Sequence, residues 1–541
     1  MRRLLVGSAL LTITLLNFFQ FPGHTWLQSD TQIYMPILER IWDPTVLGKD
    51  LIAQHPHVAF TLYDETAIAS RKITGLDFQQ VLEAEQFALR ALGIWGVYLM
   101  AGAMGLSDWL AVLVAAIFSL GATIMGPAVL IFEYEPVPRG FAVPLVFLAV
   151  GLVARERYAG AGTAGSAAFL FHPPTVVPFW AIYLCLALAG STSAAKRRRL
   201  SALGLLAVAA LLLLGVSRYQ APSGEAQAFL TRLDSQQEQL QKMRASYNWI
   251  SIWWKQWLAH YLILYAATLV AYWRVRKDAP QALRFFLLGL PLAGILSLPL
   301  SYLLLEKLHW SLIPQVQPTR ALLFVTAFAM ILSAVTACKA LQQNRHVEAL
   351  MWLILAYLAP VNREVAWPSW NRVGVLLVLA LLAGAAIWAA QAGWRWSGIP
   401  FAAAVVAPCV LIPWWGQMQN YPPLHSPELD QLSRWASTST PKDAVFLFPD
   451  ADQDLYPGVF RAEAVRAVFV DWKSGGQVNF FKDLGQEWWE RWQRTMARPF
   501  DPTDVGRYRG LGVDYVVVLA RNRLPDARPA FENARFAAYK L

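Results

Sequence analysis

Charge is what this 541-residue sequence has little of: 15% of its residues are Asp, Glu, Lys or Arg, against 56% hydrophobic. Soluble domains run nearer a quarter charged, so an ordinary water-soluble globular protein is excluded. Cysteine is scarce as well. Cys185, Cys338 and Cys409 all lie in apolar stretches, which argues against a disulfide framework and for simple packing. A glycine-rich phosphate loop, a nucleophile elbow and a nucleic-acid-binding motif are all missing. The apolar run after Met1-Arg2-Arg3 is followed by Gln20, Phe21, Pro22, Gly23 and His24. That segment has no small-x-small cleavage site, so the run reads as an uncleaved first span.

The charge that is present is uneven. Residues 421–541 carry 16 acids and 16 bases, and residues 1–420 carry 20 acids and 30 bases. Two parts follow: a transmembrane module, 1–420, and a water-soluble domain, 421–541. The net charge of +10 therefore belongs to the membrane part, where bases report orientation and not a nucleic-acid partner. A membrane helix needs about 20 apolar residues, fewer inside a bundle. Thirteen runs qualify: 4–20, 87–105, 109–131, 139–154, 160–171, 174–190, 199–217, 250–273, 281–304, 319–338, 347–359, 372–391 and 397–415. Two of them are short, which predicts about 11–13 spans. With Arg2 and Arg3 in the cytoplasm, the pairs and clusters at Arg155/Arg157, Lys196–Arg199, Arg274–Lys277, Lys339/Arg345 and Arg395 fall on the same side. The tail and the long segment 21–86 then lie outside. The expected location is the bacterial inner membrane, multi-pass.

In the tail, Leu429–Ser437 and Gln486–Met496 read as helices. Ala444–Phe448, Ala467–Asp471 and Tyr515–Leu519 read as short buried strands, and Phe536–Leu541 as a last edge strand. The pattern predicts a small α/β domain.

The ionisable residues that could carry chemistry gather in the outer segments. Asp30 stands about ten residues past the first span. Burial there raises proton affinity and suits a general base, although Asp-Thr-Gln before an apolar run also fits a helix cap over 31–41. Asp43-Pro44 and Asp50 read as turns, and His55-Pro56-His57 as a weak metal signal. The turn Phe132-Glu133-Tyr134-Glu135-Pro136-Val137-Pro138-Arg139 places two acids and an arginine between apolar helices. One carboxylate could aim into the bundle and the other into water. The pair could hold a divalent cation such as Mg2+ or Mn2+, or Glu could pair with Arg139. His172, beside Pro173-Pro174, is a packed or capping residue or a site residue. Arg320 would sit at headgroup depth, holding a lipid phosphate or simply snorkelling. Arg363 and Arg372 are weaker candidates for the same task. Segment 218–249, followed by Trp249, Trp253, Trp254 and Trp257, reads as a surface helix and an interfacial belt.

An acid in a long first outer loop, a Glu-x-Glu turn in the second, many spans and an outer C-terminal domain together resemble the GT-C superfamily of membrane glycosyltransferases. Oligosaccharyltransferase catalytic subunits, protein O-mannosyltransferases and aminoarabinose transferases belong to it. Asp30, Tyr34 and Pro36 with Asp43-Pro44, and Val470-Asp471-Trp472-Lys473 in the tail, look like a bacterial branch. The resemblance implies an inverting transfer of a sugar from a polyprenyl-phosphate donor to a glycan, lipid or protein acceptor at the membrane–water boundary. It implies Asp30 as general base, Glu133 and Glu135 as the acidic motif that in some members holds a metal, and Arg320 against the departing phosphate. Arg139, His172 and Tyr34 would line the substrate pocket. A single acid, Asp30-Thr31, replaces the paired acids of many members and argues against metal dependence. The competing classes are a transporter or flippase, whose sites lie near the bilayer midplane, and a non-catalytic membrane scaffold.

Overall fold

The computed structural model describes residues 2–55, 61–189, 193–220, 231–363, 369–525 and 527–541. His57 and part of the 218–249 segment lie outside the described residues.

Each of the thirteen apolar runs holds a helix. Five are long and apolar enough to cross a membrane by length and composition: Lys196–Gln220, Lys255–Val275, Gln281–Lys307, Leu312–Gln342 and Trp370–Gln391. Arg3–Phe19, Asp108–Ser119, Pro138–Ala154, Pro173–Leu188, His346–Val361 and Gly398–Trp414 are shorter apolar helices. The protein is a multi-pass helical membrane protein. Helices apolar all round belong inside a bundle or in lipid, and both kinds occur. Leu312–Gln342 is almost wholly buried and forms the axis, whereas Lys196–Gln220 is mostly exposed.

Two glycines set the closest crossing. A Cβ on Gly96 would lie 2.4 Å from the carbonyl oxygen of Phe147, and one on Gly151 would lie 2.3 Å from that of Gly96. Only glycine at both positions lets Phe78–Ala103 and Pro138–Ala154 approach backbone to backbone.

The expected span 109–131 is wrong in its second half. The helix Asp108–Ser119 stops, Gly121 takes φ +63°, and a hairpin of β1 (Thr123–Ile124) and β2 (Val129–Leu130) follows. Gly121 and Gly126-Pro127 interrupt a run whose hydropathy alone looks continuous.

The tail holds a sheet in the order β4-β3-β5-β7-β6. Its strands are β3 (Val445–Leu447), β4 (Ala467–Val468), β5 (Tyr515–Leu519), β6 (Phe531–Glu532) and β7 (Phe536–Lys540). β3, β4 and β5 run parallel, and β7 is antiparallel to both β5 and β6. The last long strand is therefore internal, not the expected edge, because β6 covers it. Both sheet faces are packed, as parallel strands require. On one face Pro427–Ser439 and Tyr456–Ala464 share a core with Leu27, Met35, Leu38, Tyr63 and Phe78. On the other, Trp488 and Trp492 of Lys482–Thr495 pack with Leu51 and Leu240. The segment that follows the first helix and the tail thus bury their apolar surface in common.

Candidate active site

Chain connectivity brings one set of helix ends together. Asp30 follows Arg2–Phe19, Glu133 and Glu135 precede Pro138–Ala154, His172 joins Tyr158–Phe171 to Pro173–Leu188, and Arg320 precedes Leu322–Gln342. The clusters Arg155/Arg157, Arg274–Lys277 and Lys339/Arg345 lie at the opposite ends.

Asp30 precedes the helix Thr31–Trp42, but its side chain makes no cap hydrogen bond. Its Oδ1 instead accepts from Lys473 Nζ at 2.6 Å, and its Oδ2 lies 4.0 Å from Arg139 Nη2. Burial works to raise its proton affinity, but Lys473, Arg139 and Arg320 outweigh that and hold the carboxyl well below the usual carboxylate range. The expectation of a raised proton affinity fails because it counted the apolar wall and not these cations. The side chain remains 37% exposed, so a face is open to a ligand. Tyr34, one helical turn on, packs against Tyr63 with ring centroids 5.2 Å apart and the rings tilted by 59°. Burial, then the Asp30 charge, pushes its phenol well above the ordinary value.

Glu135 supplies the cap that Asp30 does not. Its Oε1 accepts from the amides of Gln28 (2.6 Å) and Ser29 (2.8 Å) and from Thr31 Oγ1 (2.6 Å), and its Oε2 accepts from the Thr31 amide at 3.2 Å. A carboxylate at a helix N-terminus is favoured by the free N–H groups and the helix dipole. Glu133 Oε1 accepts from Arg139 Nε at 2.8 Å and from the Leu130 amide at 3.0 Å. Both acids are buried, so neither faces water as expected. They point at different partners, and Glu135 is saturated by four donors. As arranged, the pair does not fit a divalent ion, which needs converging free oxygens. Asp50, expected in a turn, is also a buried partner, described below.

His172 Nδ1 accepts from the Thr175 amide at 3.3 Å and lies 2.9 Å from Thr175 Oγ1, capping the next helix. Burial first, then Arg139 and Arg320, hold it well below the usual histidine value, so it is neutral. Arg320 lies over Tyr247 at 5.8 Å. Its Nε is buried without a hydrogen-bond partner, and no carboxylate lies within ion-pair distance of it among the described residues. The cluster therefore sets Arg139, Arg320 and Lys473 against Asp30, Glu133 and Glu135. Arg139 and Lys473 lie within ion-pair distance of a carboxylate and Arg320 does not among the described residues, which leaves one guanidinium at the end of an apolar bundle for an anion with a hydrocarbon tail. Arg363 and Arg372 stand apart. They donate to the carbonyls of Gln419 and Gly416 and line a separate cavity of about 400 Å³ with Asn420 and Tyr421.

A model for a family described as "Domain of unknown function (DUF6798)" matches residues 427–495. No curated protein matches the chain. Among solved structures, it is similar to the arabinofuranosyltransferase AftD from Mycobacteria, with 15% identity, 96% of this chain and 35% of that one covered, and a TM-score of 0.44. It is also similar to ArnT from Cupriavidus metallidurans in the apo state, with 13% identity, 99% and 97% covered, and a TM-score of 0.42. The ArnT structure bound to undecaprenyl phosphate gives 12% identity, the same coverage and 0.41. The chain spans about a third of the AftD length.

Two parts of the site escape a reading of local sequence. Arg90, 1% exposed, donates to Asn17 Oδ1 (3.0 Å), the Gly23 carbonyl (2.9 Å) and the Glu133 carbonyl (2.6 Å). It clamps the first span's end, the first loop and the Glu-x-Glu turn together. Lys473 comes from a position 443 residues beyond Asp30. The only local signal for it was the string Val470-Asp471-Trp472-Lys473, a lone base after a buried strand.

Proposed function

We propose that this protein is a GT-C-type membrane glycosyltransferase that moves a sugar from a polyprenyl-phosphate donor to an acceptor hydroxyl, with inversion, at the outer boundary of a bacterial inner membrane. The observation that carries the reading is the Asp30 carboxylate, ionised, partly open and faced by Arg139 and by Arg320, whose guanidinium has no ion-pair partner among the described residues. The apolar bundle below would hold the polyprenyl chain, and Arg320, with Arg139 beside it, would hold the phosphate through charge-assisted hydrogen bonds.

In this reading the acceptor oxygen forms a bond to the anomeric carbon as the bond from that carbon to the donor phosphate oxygen breaks. The acceptor proton passes to Asp30, and polyprenyl phosphate leaves against Arg320. A carboxylate of low proton affinity is a weak base, but an anionic donor seated on Arg320 and Arg139 offsets their charge and raises that affinity when it is needed. Tyr34 and neutral His172 line the pocket as hydrogen-bonding groups. Glu133 and Glu135 shape it, holding Arg139 and the 28–31 segment in place. No divalent ion is needed for these steps. The acceptor is a glycan, lipid or protein hydroxyl.

The test uses full-length protein in lipid nanodiscs with a panel of polyprenyl-phosphate-linked monosaccharides, counting released polyprenyl phosphate. Asp30→Asn is expected to lose about 100-fold or more in rate, the scale of general-base loss. Wild-type rates in that variant would remove Asp30 as the base. A panel that yields no release with wild type would remove the glycosyltransferase reading itself.

A further inference from the structure

Lys473 is the one cation of the cluster, among the described residues, that the C-terminal domain supplies. Its Nζ donates to Asp30 Oδ1 at 2.6 Å and to Ser29 Oγ at 3.1 Å, and its side chain is 15% exposed. Its backbone is held on both sides. Before it, the Asp471 carboxylate pairs with Arg461, and the Trp488 indole donates to the Asp471 carbonyl at 2.9 Å. Trp472 is covered by the Arg244 guanidinium at 3.6 Å. After it, Asn479 Nδ2 donates to Tyr247 Oη at 2.9 Å, the same tyrosine that Arg320 overlies.

A fixed backbone carries a mobile stem here. Arg139 is tied to Glu133 at 2.8 Å and offers a rigid fork. Lysine is a point charge on four rotatable carbons and can leave Asp30 for a neighbouring anion without moving the chain. We propose that Lys473 is a positioning residue for Asp30: it orients the carboxylate in the resting site and passes to the donor phosphate when the donor binds, so that the C-terminal domain is part of the catalytic unit. This rests on the glycosyltransferase reading above. Besides Lys473, the groups facing Asp30 are Arg139, Arg320, Glu135, Tyr34 and Tyr134. The two arginines remain when Lys473 is removed, so a change on its removal belongs to Lys473.

Lys473→Met keeps the stem and removes the charge, and Lys473→Arg keeps the charge and stiffens the head. Both would be compared with wild type in nanodiscs at matched thermal midpoints, using the same donor panel between about pH 4 and 8. Lys473→Met is expected to lose about 10-fold or more in turnover and to move the acid limb of the pH profile upward into the ordinary carboxylate range, about pH 4. Lys473→Arg is expected to restore the limb but only part of the rate. A second readout needs no sugar: carbodiimide-driven amidation of Asp30, followed by peptide mass spectrometry across pH. Its midpoint is expected to rise in Lys473→Met, and in wild type on adding undecaprenyl phosphate. If Lys473→Met matches wild type at every pH while wild type transfers sugar, the inference falls and the reading stands. If the amidation midpoint rises but no donor is ever turned over, the pairing stands and the glycosyltransferase reading falls.

Discussion

Asp50 and Arg461 form a buried ion pair, Oδ2 to Nε 2.8 Å, between positions 411 residues apart. Asp471 takes another face of the same guanidinium, and all three side chains are 1% exposed or less. Asp50 also accepts the amides of Ile52, Ala53 and Val468. The segment that follows the first helix is thereby fastened to the sheet at β4, two residues from Val470 and close to the Lys473 segment. Removing one partner of a buried pair strands the other charge and costs about 3–5 kcal/mol. Arg461→Met is expected to lower the thermal midpoint of the purified protein strongly and to open residues 427–495 to limited proteolysis. The triple change Asp50→Asn, Arg461→Met and Asp471→Asn should recover part of the loss, because no charge is then left stranded. An unchanged midpoint in Arg461→Met would show that the triad does not hold the two parts together.

Glu135 gives a prediction about metals. Three of its four donors meet Oε1 and the Thr31 amide meets Oε2, which commits the carboxylate to capping, so in the proposed reaction a chelator should leave sugar transfer unchanged. Glu135→Gln removes the charge and half of the accepting capacity at the N-terminus of Thr31–Trp42. It should lower turnover by about 10-fold or more through misplacement of Asp30, since loss of a helix cap alone is worth about 1 kcal/mol. Loss of activity on chelation, restored by Mg2+ or Mn2+, would contradict the capping role.

His425 makes the joint between the two parts sensitive to pH. Its Nε2 lies 2.7 Å from the Trp26 carbonyl oxygen, and its Nδ1 lies 3.1 Å from Glu463 Oε1. The hydrogen bond to Glu463, working against burial, raises its pKa above the ordinary 6.5. A raised folded-state value stabilises fully below the unfolded value and is lost as pH climbs through the folded one. The thermal midpoint should therefore fall modestly from about pH 6.5 upward, and His425→Gln should flatten that slope. A wild-type midpoint that is level or rises over that range would count against the bridge.

Much of the architecture could be read from the sequence. Runs such as Leu322–Gln342 are long and uninterrupted enough that only a helix satisfies the backbone in lipid. In the tail, Tyr515–Leu519 and the Trp488/Trp492 helix follow the ordinary periods of strand and helix. Which ionisable residues gather at one set of helix ends was legible, but their bonding was not. Asp30, Glu133, Arg139, His172 and Arg320 could be named because ionisable groups at span ends are few. That Glu135 caps the Asp30 helix, and that Lys473 takes the carboxylate, depends on contacts between positions more than 100 and more than 440 residues apart. No local pattern encodes such pairings. Asp50 does head a turn, its Oδ1 accepting the amides of Ile52 and Ala53, but a turn-like neighbourhood says nothing of an arginine 411 residues away.

Arg90 grips all three of its neighbours by main-chain oxygens, at Asn17, Gly23 and Glu133. Main-chain oxygens are the same whatever side chain stands above them. Residues around that end of the bundle can therefore change in size and chemistry while the frame they decorate stays in register. The clamp separates the scaffold from its specificity, and one buried guanidinium performs the separation.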